Sequence, residues 1–565
     1  MVRRRDDAMV SFDVSADTSG DAVEQGAGHD GGARTPEPPR PGWLERAAAW
    51  WRAASPRRRR ATAGVGGGAV LVLVGGLVAG GAAAAHLESE RLRAAPGGVL
   101  SLAGELTEAW SRDGSGVVAV LDGGRLAFVE DRTLVVHDAA DGSEVWRAAL
   151  GPDLECGPRP RLSSGVEWTM PSTTLTCVHG DDGERTVTVL DADGAVVGDR
   201  VLDPEVYGGE HVRVAPAAAG GLAVVEHVID LPGRRTVENS PTTQQLVEEI
   251  DPNGLGAATL RMEDALTGQV RAESTANRWP MSLQDCVWFS ADAEGRPRPA
   301  TTRIELWGVR QPVATPSVVG YQMCQGGTGL ATDGTPLDVA DVTGVSFADL
   351  QGLGVVEPFP GGGHVVPGPR GGTVLVTAEE GRREDLGGRV RVPAAQVGPV
   401  EPELVAVREL STAVGIGDDG AVRWEAELGG DPDVLARVAG TTVVATDASS
   451  ELVALDDADG SERWRVDLVH PAPDGRWVQP TSAVTDGERV TVALVEGLDG
   501  GPTWAGSLVT VDLATGEARR TELDGDGLPW VTAVDGHLLL HELDPGGGGF
   551  AAWPRIAAVK MLEPR

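Results

Sequence analysis

The chain has 565 residues, 41% of them hydrophobic, with 78 glycines, 37 prolines and a formal net charge of −36. This composition supports a buried core built from many short strands and turns, and it disfavours long helices. Residues 1–60 hold 11 arginines and 9 acidic residues (net +2), so the rest of the chain carries −38. A surface this acidic repels phosphate backbones, which argues against nucleic-acid binding.

The first 60 residues form a predicted disordered cytoplasmic tail. They are rich in Asp, Gly, Pro and Arg and show almost no aliphatic periodicity before Trp43 and Leu44. These two residues, with Trp50 and Trp51, lie next to arginines and could form an amphipathic stretch at the membrane interface. A tail held near the membrane by its charges alone is the alternative.

Residues 61–86 are predicted to form a single transmembrane helix. The run Ala61–Ala85 carries no charge and contains the aliphatic centre Val70–Val74. As a helix it would measure roughly 37 Å, which exceeds the ~30 Å hydrocarbon core of a bilayer. Arg57–Arg60 precede it directly, so the positive-inside rule places the N-terminus in the cytoplasm and the remainder outside the cell membrane. A late-cleaved signal peptide and a soluble Gly/Ala-rich linker are the alternatives, and residues 87–104 are the predicted linker to the next domain.

Beyond residue 105 the chain repeats one pattern of strand, tight turn and strand. Arg132–Leu150 reads RTLVVHDAADGSEVWRAAL and Ser450–Leu468 reads SELVALDDADGSERWRVDL. Four further copies occupy 186–202, 259–273, 411–428 and 507–523. The turns end in Asp-Gly or Thr-Gly in most copies, and glycine supplies the positive φ that tight hairpins need. In three copies a tryptophan stands four residues after the turn glycine: Trp146, Trp424 and Trp464.

These repeats resemble the quinoprotein-type (PQQ-like) β-propeller repeat, whose consensus is close to ALDAxTGxxxW. The resemblance covers roughly residues 105–563 and implies an all-β fold, a β-propeller of seven or eight blades over residues 105–565. It also implies that Trp146, Trp424 and Trp464 pack between neighbouring blades. Trp110 resembles the end of an outer strand that lacks its own hairpin.

The spacing of the turn glycines predicts how the ring is completed. The widest interval, between Gly268 and Gly420, must hide at least one degenerate blade, for which Ala331–Val339 is the candidate. We expect Leu106–Trp110 to pair with the C-terminal strands near Leu538–Leu540 and Ile556–Val559, which closes the ring. Three Gly/Pro-rich stretches are predicted to be insertions between strands: Glu238–Gly256, Pro358–Gly372 and Pro545–Gly549.

All four cysteines lie beyond the predicted anchor, on the oxidising side of the membrane if the topology is right. We expect Cys156 to pair with Cys177 and Cys286 with Cys324, although sequence alone leaves the other two connectivities open. The chain has no CxxC motif and no vicinal cysteine pair. Zinc, haem c and redox-relay interpretations therefore have no support.

No catalytic, cofactor-binding or metal-ligating residue is predicted. The resemblance implies that a dehydrogenase of this type would show a vicinal disulfide and a set of calcium ligands, and neither can be matched to this sequence. Asp191–Gly194 and Asp456–Gly460 fit hairpin turns and lack the EF-type calcium spacing. His537 and His541 are interpreted as separate surface or capping residues.

The functional prediction is a non-catalytic, membrane-tethered propeller outside the cell. It would act as a binding or scaffold module for a protein partner or ligand of the envelope, with no cofactor. Two alternatives are an exported oxidoreductase that uses a quinone or another cofactor in the central funnel, and a transmembrane sensor. The tail contains no recognisable signalling module, so a sensor would need a further partner.

Overall fold

The computed structural model describes residues 83–565 apart from internal gaps. The gaps are 115, 182–183, 210–211, 228–235, 238–257, 277–301, 304–311, 324–325, 338–355, 360–361, 368–372, 377–382, 386–387, 399–403, 410, 418–420, 431, 447–449, 469–475, 499–503, 526 and 545–555. Cys286 and Cys324 fall in these gaps, so their pairing remains a prediction.

The described part of the chain begins with helix α1, residues 83–94. None of the helices described is both long and apolar enough to cross a membrane. The predicted span, 61–86, lies outside the described residues except for 83–86, as does the whole of the predicted tail. Both segments therefore remain predictions.

The described residues form nine four-stranded antiparallel blades, numbered here in chain order. The strands of the first five run as follows, from the axis outward. Blade 1 has β2 Val117–Leu121, β3 Arg125–Glu130, β4 Thr133–Asp138 and β5 Glu144–Ala149; blade 2 has β6 Glu155–Gly157, β7 Thr174–His179, β8 Thr186–Asp191 and β9 Val196–Val201; blade 3 has β10 Val212–Ala217, β11 Gly221–His227, β13 Ala258–Asp264 and β14 Val270–Ala276; blade 4 has β16 Val313–Ala314, β17 Val318–Met323, β18 Gly326–Ala331 and β19 Pro336–Leu337; blade 5 has β20 Glu357–Pro358, β21 His364–Pro367, β22 Thr373–Val376 and β23 Arg383–Asp385.

The last four blades complete the set. Blade 6 has β24 Arg389–Val390, β26 Leu404–Arg408, β27 Thr412–Ile416 and β28 Val422–Glu427; blade 7 has β29 Pro432–Val438, β30 Thr441–Thr446, β31 Glu451–Asp456 and β32 Glu462–Asp467; blade 8 has β33 Arg476–Thr485, β34 Arg489–Leu498, β35 Trp504–Asp512 and β36 Ala518–Glu522; blade 9 has β37 Leu528–Val534, β38 His537–Leu543, β39 Ile556–Pro564 and β1 Leu106–Asp113. Strand β25 (Ala395–Val397) adds in parallel to β29, and β12 (Thr236–Val237) pairs with β15 (Thr302–Arg303). Two one-turn helices, α2 (Gly165–Trp168) and α3 (Pro204–Tyr207), belong to blade 2 and its exit.

The N-terminal strand closes the ring as predicted. Strand β1 pairs antiparallel with the C-terminal strand β39, from Leu106 opposite Pro564 to Asp113 opposite Ala558. Blade 9 therefore combines the first strand of the propeller with its last three. Because β1 pairs with β39, the C-terminal strand has no unpaired edge.

The hydrophobic core consists of nine separate clusters, and each cluster joins two consecutive blades. Blades 1 and 2 share one cluster, blades 2 and 3 the next, and the series continues until the last cluster joins blades 9 and 1. A single blade thus cannot bury its own apolar faces, and burial of apolar area requires the closed ring.

The tryptophans of the repeat connect neighbouring blades through their indole N–H groups. The donor–acceptor pairs are Trp110 to Ala139 O (3.0 Å), Trp146 to Ala192 O (3.0 Å), Trp424 to Asp457 O (2.9 Å) and Trp464 to Leu513 O (2.9 Å). Each ring also covers the turn glycine of the next blade, where a Cβ atom would lie 2.7–2.9 Å from the ring: Gly142, Gly194, Gly460 and Gly516. Glycine is required there both for its positive φ and for the space that the ring occupies.

Nine blades replace the predicted seven or eight. The interval between Gly268 and Gly420 holds two such blades, 4 and 5, and the candidate Ala331–Val339 overlaps the third and fourth strands of blade 4. Their outer strands, Pro336–Leu337 and Arg383–Asp385, have only two and three residues, which is too short for the second half of the repeat to be recognised. The stretch Pro358–Gly372 was wrongly predicted to be an insertion throughout, because His364–Pro367 within it forms the second strand of blade 5.

Residues 95–104 fasten the N-terminal segment to one face of the ring. They form main-chain hydrogen bonds where the inner strands of blades 8 and 9 turn back: Thr485 N to Gly97 O (2.9 Å), Val99 N to Thr485 O (2.9 Å) and Leu100 N to Gly536 O (2.9 Å). Val99 and Leu102 are buried there. We call this side the linker face, and the other side, where the second strand of each blade turns into the third, the distal face.

Candidate functional site

The connection between the first two strands of blade 2 crosses the axis of the propeller. We call this segment, residues 158–173, the plug. It makes hydrogen bonds to four other blades: Ser172 N to Val120 O in blade 1 (2.8 Å), Arg159 N to Ala314 O in blade 4 (3.3 Å), Arg161 Nη1 to Val356 O at blade 5, and Trp530 Nε1 of blade 9 to Leu162 O (2.7 Å). A segment that bonds to blades on opposite sides of the ring occupies its centre.

The short helix α2 forms the buried middle of the plug. Ser164 caps it, because the serine Oγ accepts a hydrogen bond from Glu167 N (3.4 Å). Gly165 is packed against the main chain leading into blade 7, where a Cβ atom would collide with the carbonyl oxygen of Ala394. Only glycine therefore allows the plug to come this close to the opposite wall.

A buried ion pair holds the plug in shape. The Glu167 carboxylate accepts hydrogen bonds from Arg161 N (2.8 Å), Nε (3.1 Å) and Nη2 (2.8 Å). It also accepts one from Ser317 Oγ of blade 4 (2.7 Å). Arg161 and Glu167 are 5% and 0% exposed. Both charges are thus compensated by several hydrogen bonds, the condition under which a buried pair is tolerated.

Trp168 seals the plug against blade 9. Its Nε1 donates to Arg161 O (2.9 Å), and its ring lies 5.0 Å from the His541 imidazole. His541 is fully buried and its Nε2 is 2.8 Å from Thr532 Oγ1. Burial lowers the pKa of His541 to about 3, so this imidazole is neutral at physiological pH. His537, four residues earlier on the same strand, does not share this environment.

The disulfide Cys156–Cys177 joins the two strands from which the plug emerges. The two cysteines lie directly opposite each other on β6 and β7, with their Cα atoms 4.1 Å apart. Both are buried. The bond confirms the predicted pairing of these two cysteines, and the residues that it encloses include the whole plug. By the chain-entropy argument, a loop of this length contributes about 3 kcal/mol.

Charged residues of blade 5 and its surroundings lie close to Arg161 of the plug. Glu357 lies among Arg161, Arg391 and the Val392 N–H, which donates to its Oε2 (3.2 Å). Burial outweighs these cations and raises the pKa of Glu357 to about 7. The carboxyl therefore changes its charge near neutral pH.

A second charged pair belongs to the base of the plug. Burial raises the pKa of Glu155 at the start of β6, while the nearby Arg159 opposes this shift. Burial also lowers the pKa of the Arg159 guanidinium. Burial thus shifts the pKa values of Glu155 and Arg159, as it does that of Glu357. These described groups do not form a nucleophile–base arrangement.

The contacts described at the axis are hydrogen bonds and side-chain packing. In the described part of the chain, no three His, Cys, Asp or Glu side chains are grouped so that they could hold a metal ion. Asp191 and Asp456 accept hydrogen bonds from main-chain N–H groups of their own turns, Ala195 N (2.8 Å) and Ala458 N (2.9 Å). The plug, with buried Glu167 bonded to Arg161 and Ser317, crosses the axis at which the quinone of the enzyme alternative would bind.

The plug is the feature that sequence reasoning missed. Residues 158–173 have neither the strand–turn–strand pattern nor an excess of glycine. The one signal was that two cysteines expected to pair are separated by a non-repeating segment containing Glu167 and Trp168. A charged residue next to tryptophan within a disulfide loop fits a packed insertion better than a surface loop.

Part of the ring is similar to known proteins. A family model described as outer membrane protein assembly factor BamB matches residues 364–523, from the second strand of blade 5 to the end of blade 8. Among solved structures, the chain is similar to BamB from Moraxella catarrhalis (12% identity, 81% of this chain and 100% of that one, TM-score 0.33). It is also similar to the WD40 domain of SCAP from fission yeast (8% identity, 82% and 98% covered, TM-score 0.31). No curated protein matches the chain.

The chain is an all-β propeller. This assignment rests on the sheet order and the nine interblade cores, since solved structures at these TM-scores add nothing to it. Its repeats are of the PQQ-like type, and those of blades 5–8 are the ones that match the assembly-factor family model.

Proposed function

We propose that this protein is a non-catalytic binding or scaffold module, tethered to the cell membrane and displayed outside the cell. One observation carries the proposal: the axis, where a propeller enzyme would hold its cofactor or substrate, is filled by the plug. The plug contains the buried Arg161–Glu167 ion pair and the buried Trp168, and the Cys156–Cys177 disulfide encloses it. Binding is thereby directed to the faces and the outer edge of the ring.

The attachment of residues 95–104 distinguishes the two faces of the propeller. Residues 95–104, which follow the proposed anchor in the chain, bond to the linker face. The two strands that flank 228–257, and those that flank 277–312, end on the distal face. These strand ends lie on the face opposite residues 95–104, and connections between strands are where repeat folds commonly bind partners.

The partner proposed is a protein of the cell envelope. The family model that matches blades 5–8 is described as an outer membrane protein assembly factor. The strongly acidic chain, with a net charge of −36, favours a partner with a basic or apolar contact surface over a nucleic acid.

Site-specific photocrosslinking in intact membranes tests this function. The photoreactive residue is placed at Arg132 on the distal face, at Asp199 on the outer edge, and at Glu517 on the linker face as the control. We expect a distal or edge position to give one discrete, stoichiometric protein adduct, identified by mass spectrometry. Failure of all three positions to capture a defined protein would contradict the proposal.

The enzyme alternative is tested on the purified protein. A quinone is added with Ca²⁺, and the absorbance spectrum and dye-linked oxidation of alcohols or sugars are recorded. A bound-quinone spectrum with turnover would overturn the non-catalytic assignment. A membrane phenotype that depends on residues 1–60, with crosslinking unchanged when they are deleted, would support the sensor alternative.

A further inference from the structure

One of the longer outer strands of the ring lacks the charges that protect the others. The outermost strand of every blade exposes an edge of unpaired main-chain groups, which soluble proteins usually guard with charged side chains. Among the described outer strands of five or more residues, all except β9 have at least two charged residues at exposed positions. Strand β9 exposes Val196, Val197 and Val201, and its single exposed charge is Asp199.

The exposure of these valines is large. Val196, Val197 and Val201 are 60%, 57% and 61% exposed, and Val206 of helix α3 extends the apolar area at 45%. Asp199 lies between Val197 and Val201 on the same side of the strand, because side chains alternate along it. The result is an apolar edge with one carboxylate at its centre.

The edge is held rigidly from behind. Gly198 packs against Leu266 of blade 3, and the Arg200 guanidinium lies 3.6 Å from the Glu263 carboxylate. The Tyr207 hydroxyl donates to Glu263 (2.7 Å), which fixes helix α3 beside the strand. A strand docking on β9 would therefore meet an edge that is already ordered, which lowers the entropic cost of binding.

The Asp199 carboxylate is available to a cation. Among the described residues none forms a salt bridge with Asp199. Burial lowers the pKa of His179, and the charge of Asp199 only partly opposes this shift. A second copy of this chain is a poor occupant. Antiparallel pairing of two β9 strands that sets Val197 opposite Val201 also sets Asp199 opposite Asp199, and like charges directly opposite destabilise a sheet. The net charge of −36 on each copy adds to that repulsion.

We infer that β9 is a docking edge for an extended strand of a different protein, with apolar residues on either side of a basic one at alternate positions. The main chain of the partner would extend the sheet of blade 2. Its apolar side chains would cover Val197 and Val201, and its Lys or Arg would face Asp199. This inference rests on the proposed binding function and specifies how the partner is recognised.

Binding of a labelled peptide to the full-length protein in detergent micelles tests the inference. The probe is Thr-Val-Thr-Arg-Thr-Val-Thr, followed by fluorescence anisotropy. The first control has Glu in place of Arg, the second has the Arg moved to the first position, and the third carries N-methyl groups on alternate amides, which prevents sheet extension. We expect each control peptide to bind at least tenfold more weakly than the probe.

Variants of the protein locate the site. Asp199→Lys should reverse the preference, so that the Glu peptide binds at least tenfold better than the Arg peptide. The double change Val197→Thr with Val201→Thr should weaken the probe about tenfold. The matched control is Val145→Thr with Val422→Thr, on the outer strands of blades 1 and 6, which should bind the probe as the unmodified protein does. Gel filtration and thermal unfolding check that each variant is folded.

Three results would overturn the inference: no binding of the probe at millimolar concentration, equal binding of the N-methylated peptide, or an unchanged preference in Asp199→Lys. Photocrosslinking separates this outcome from failure of the proposed function. A partner captured at Arg132 but not at Asp199 would leave the binding function intact and exclude the β9 edge.

Discussion

The substitution Glu167→Gln removes the counter-charge of Arg161 and leaves the rest of the plug in place. The native carboxylate accepts four hydrogen bonds, three from Arg161 and one from Ser317. A glutamine offers one acceptor oxygen and turns an NH₂ group toward the remaining donors. Breaking one partner of a buried ion pair typically costs about 3–5 kcal/mol.

Hydrogen exchange measures this cost locally, which matters because a nine-bladed ring need not unfold in two states. The amides of Thr169 and Met170 are bonded to Val166 O (3.0 Å) and Glu167 O (3.2 Å), so they report opening of the plug. A loss of about 3 kcal/mol corresponds to exchange faster by roughly 100-fold. Glu144→Gln, which breaks the exposed Arg147–Glu144 pair, is the control and should leave plug exchange unchanged.

The double change Arg161→Met with Glu167→Met distinguishes charge compensation from simple loss of contacts. Removing both charges eliminates the uncompensated guanidinium, so the double variant should exchange more slowly than Glu167→Gln. The reasoning is refuted if Glu167→Gln accelerates plug exchange by less than tenfold, or if the double variant exchanges faster than the single one.

Three further predictions follow from the same packing. Trp464→Ala should lower the free energy of unfolding by about 3–5 kcal/mol. Trp464→Phe keeps a ring but loses the N–H bond to Leu513 O, so it should lower this free energy by less. Denaturant midpoints measure both effects, and the control Trp43→Ala in the predicted tail should leave the midpoint unchanged. Cys156→Ser should destabilise the protein by about 3 kcal/mol and accelerate exchange in the plug, and an unchanged plug would contradict the enclosing role of the disulfide. Glu357 has a folded pKa of about 7 against 4.5 for the free residue, so the folded state keeps a proton that the unfolded state has lost. Stability should therefore fall as pH rises from 4.5 to 7, and melting temperatures of Glu357→Gln should lack this slope.

The sequence was sufficient for the features that repeat. The turn glycines, the tryptophans four residues later and the short alternating strands follow from local rules of hairpin geometry, so the propeller and its closure by Leu106–Trp110 could be predicted. Blades 4 and 5 could not be counted, because their outer strands of two and three residues are too short to complete the strand–turn–strand pattern. The plug was missed because it depends on contacts distant in sequence, such as Glu167 with Ser317 and Leu162 with Trp530.

The docking edge β9 could not be predicted from the sequence either. Val196 and Val197 read as ordinary strand residues, since most outer strands of the repeat contain some valine. Their significance depends on the exposure of side chains, because β9 has one exposed charge where the other described outer strands of five or more residues have at least two. A single solvent-exposed valine needs no explanation. Exposed valines indicate a binding edge only where the charged side chains of other outer strands are missing.

Blade number and plug are connected by geometry. As blades are added to a ring the inner strands move away from the axis, and beyond some number their side chains no longer meet at the centre. An unfilled centre would cost dispersion contacts along every inner strand. In this ring the two blades that neither the six repeat copies nor Trp110 mark, 4 and 5, have inner strands of only two residues, and the plug bonds to both of them. The extra width of the ring and the insertion that fills it are thus two parts of one solution, and the solution leaves the faces and edges of the propeller as the surfaces on which a partner can bind.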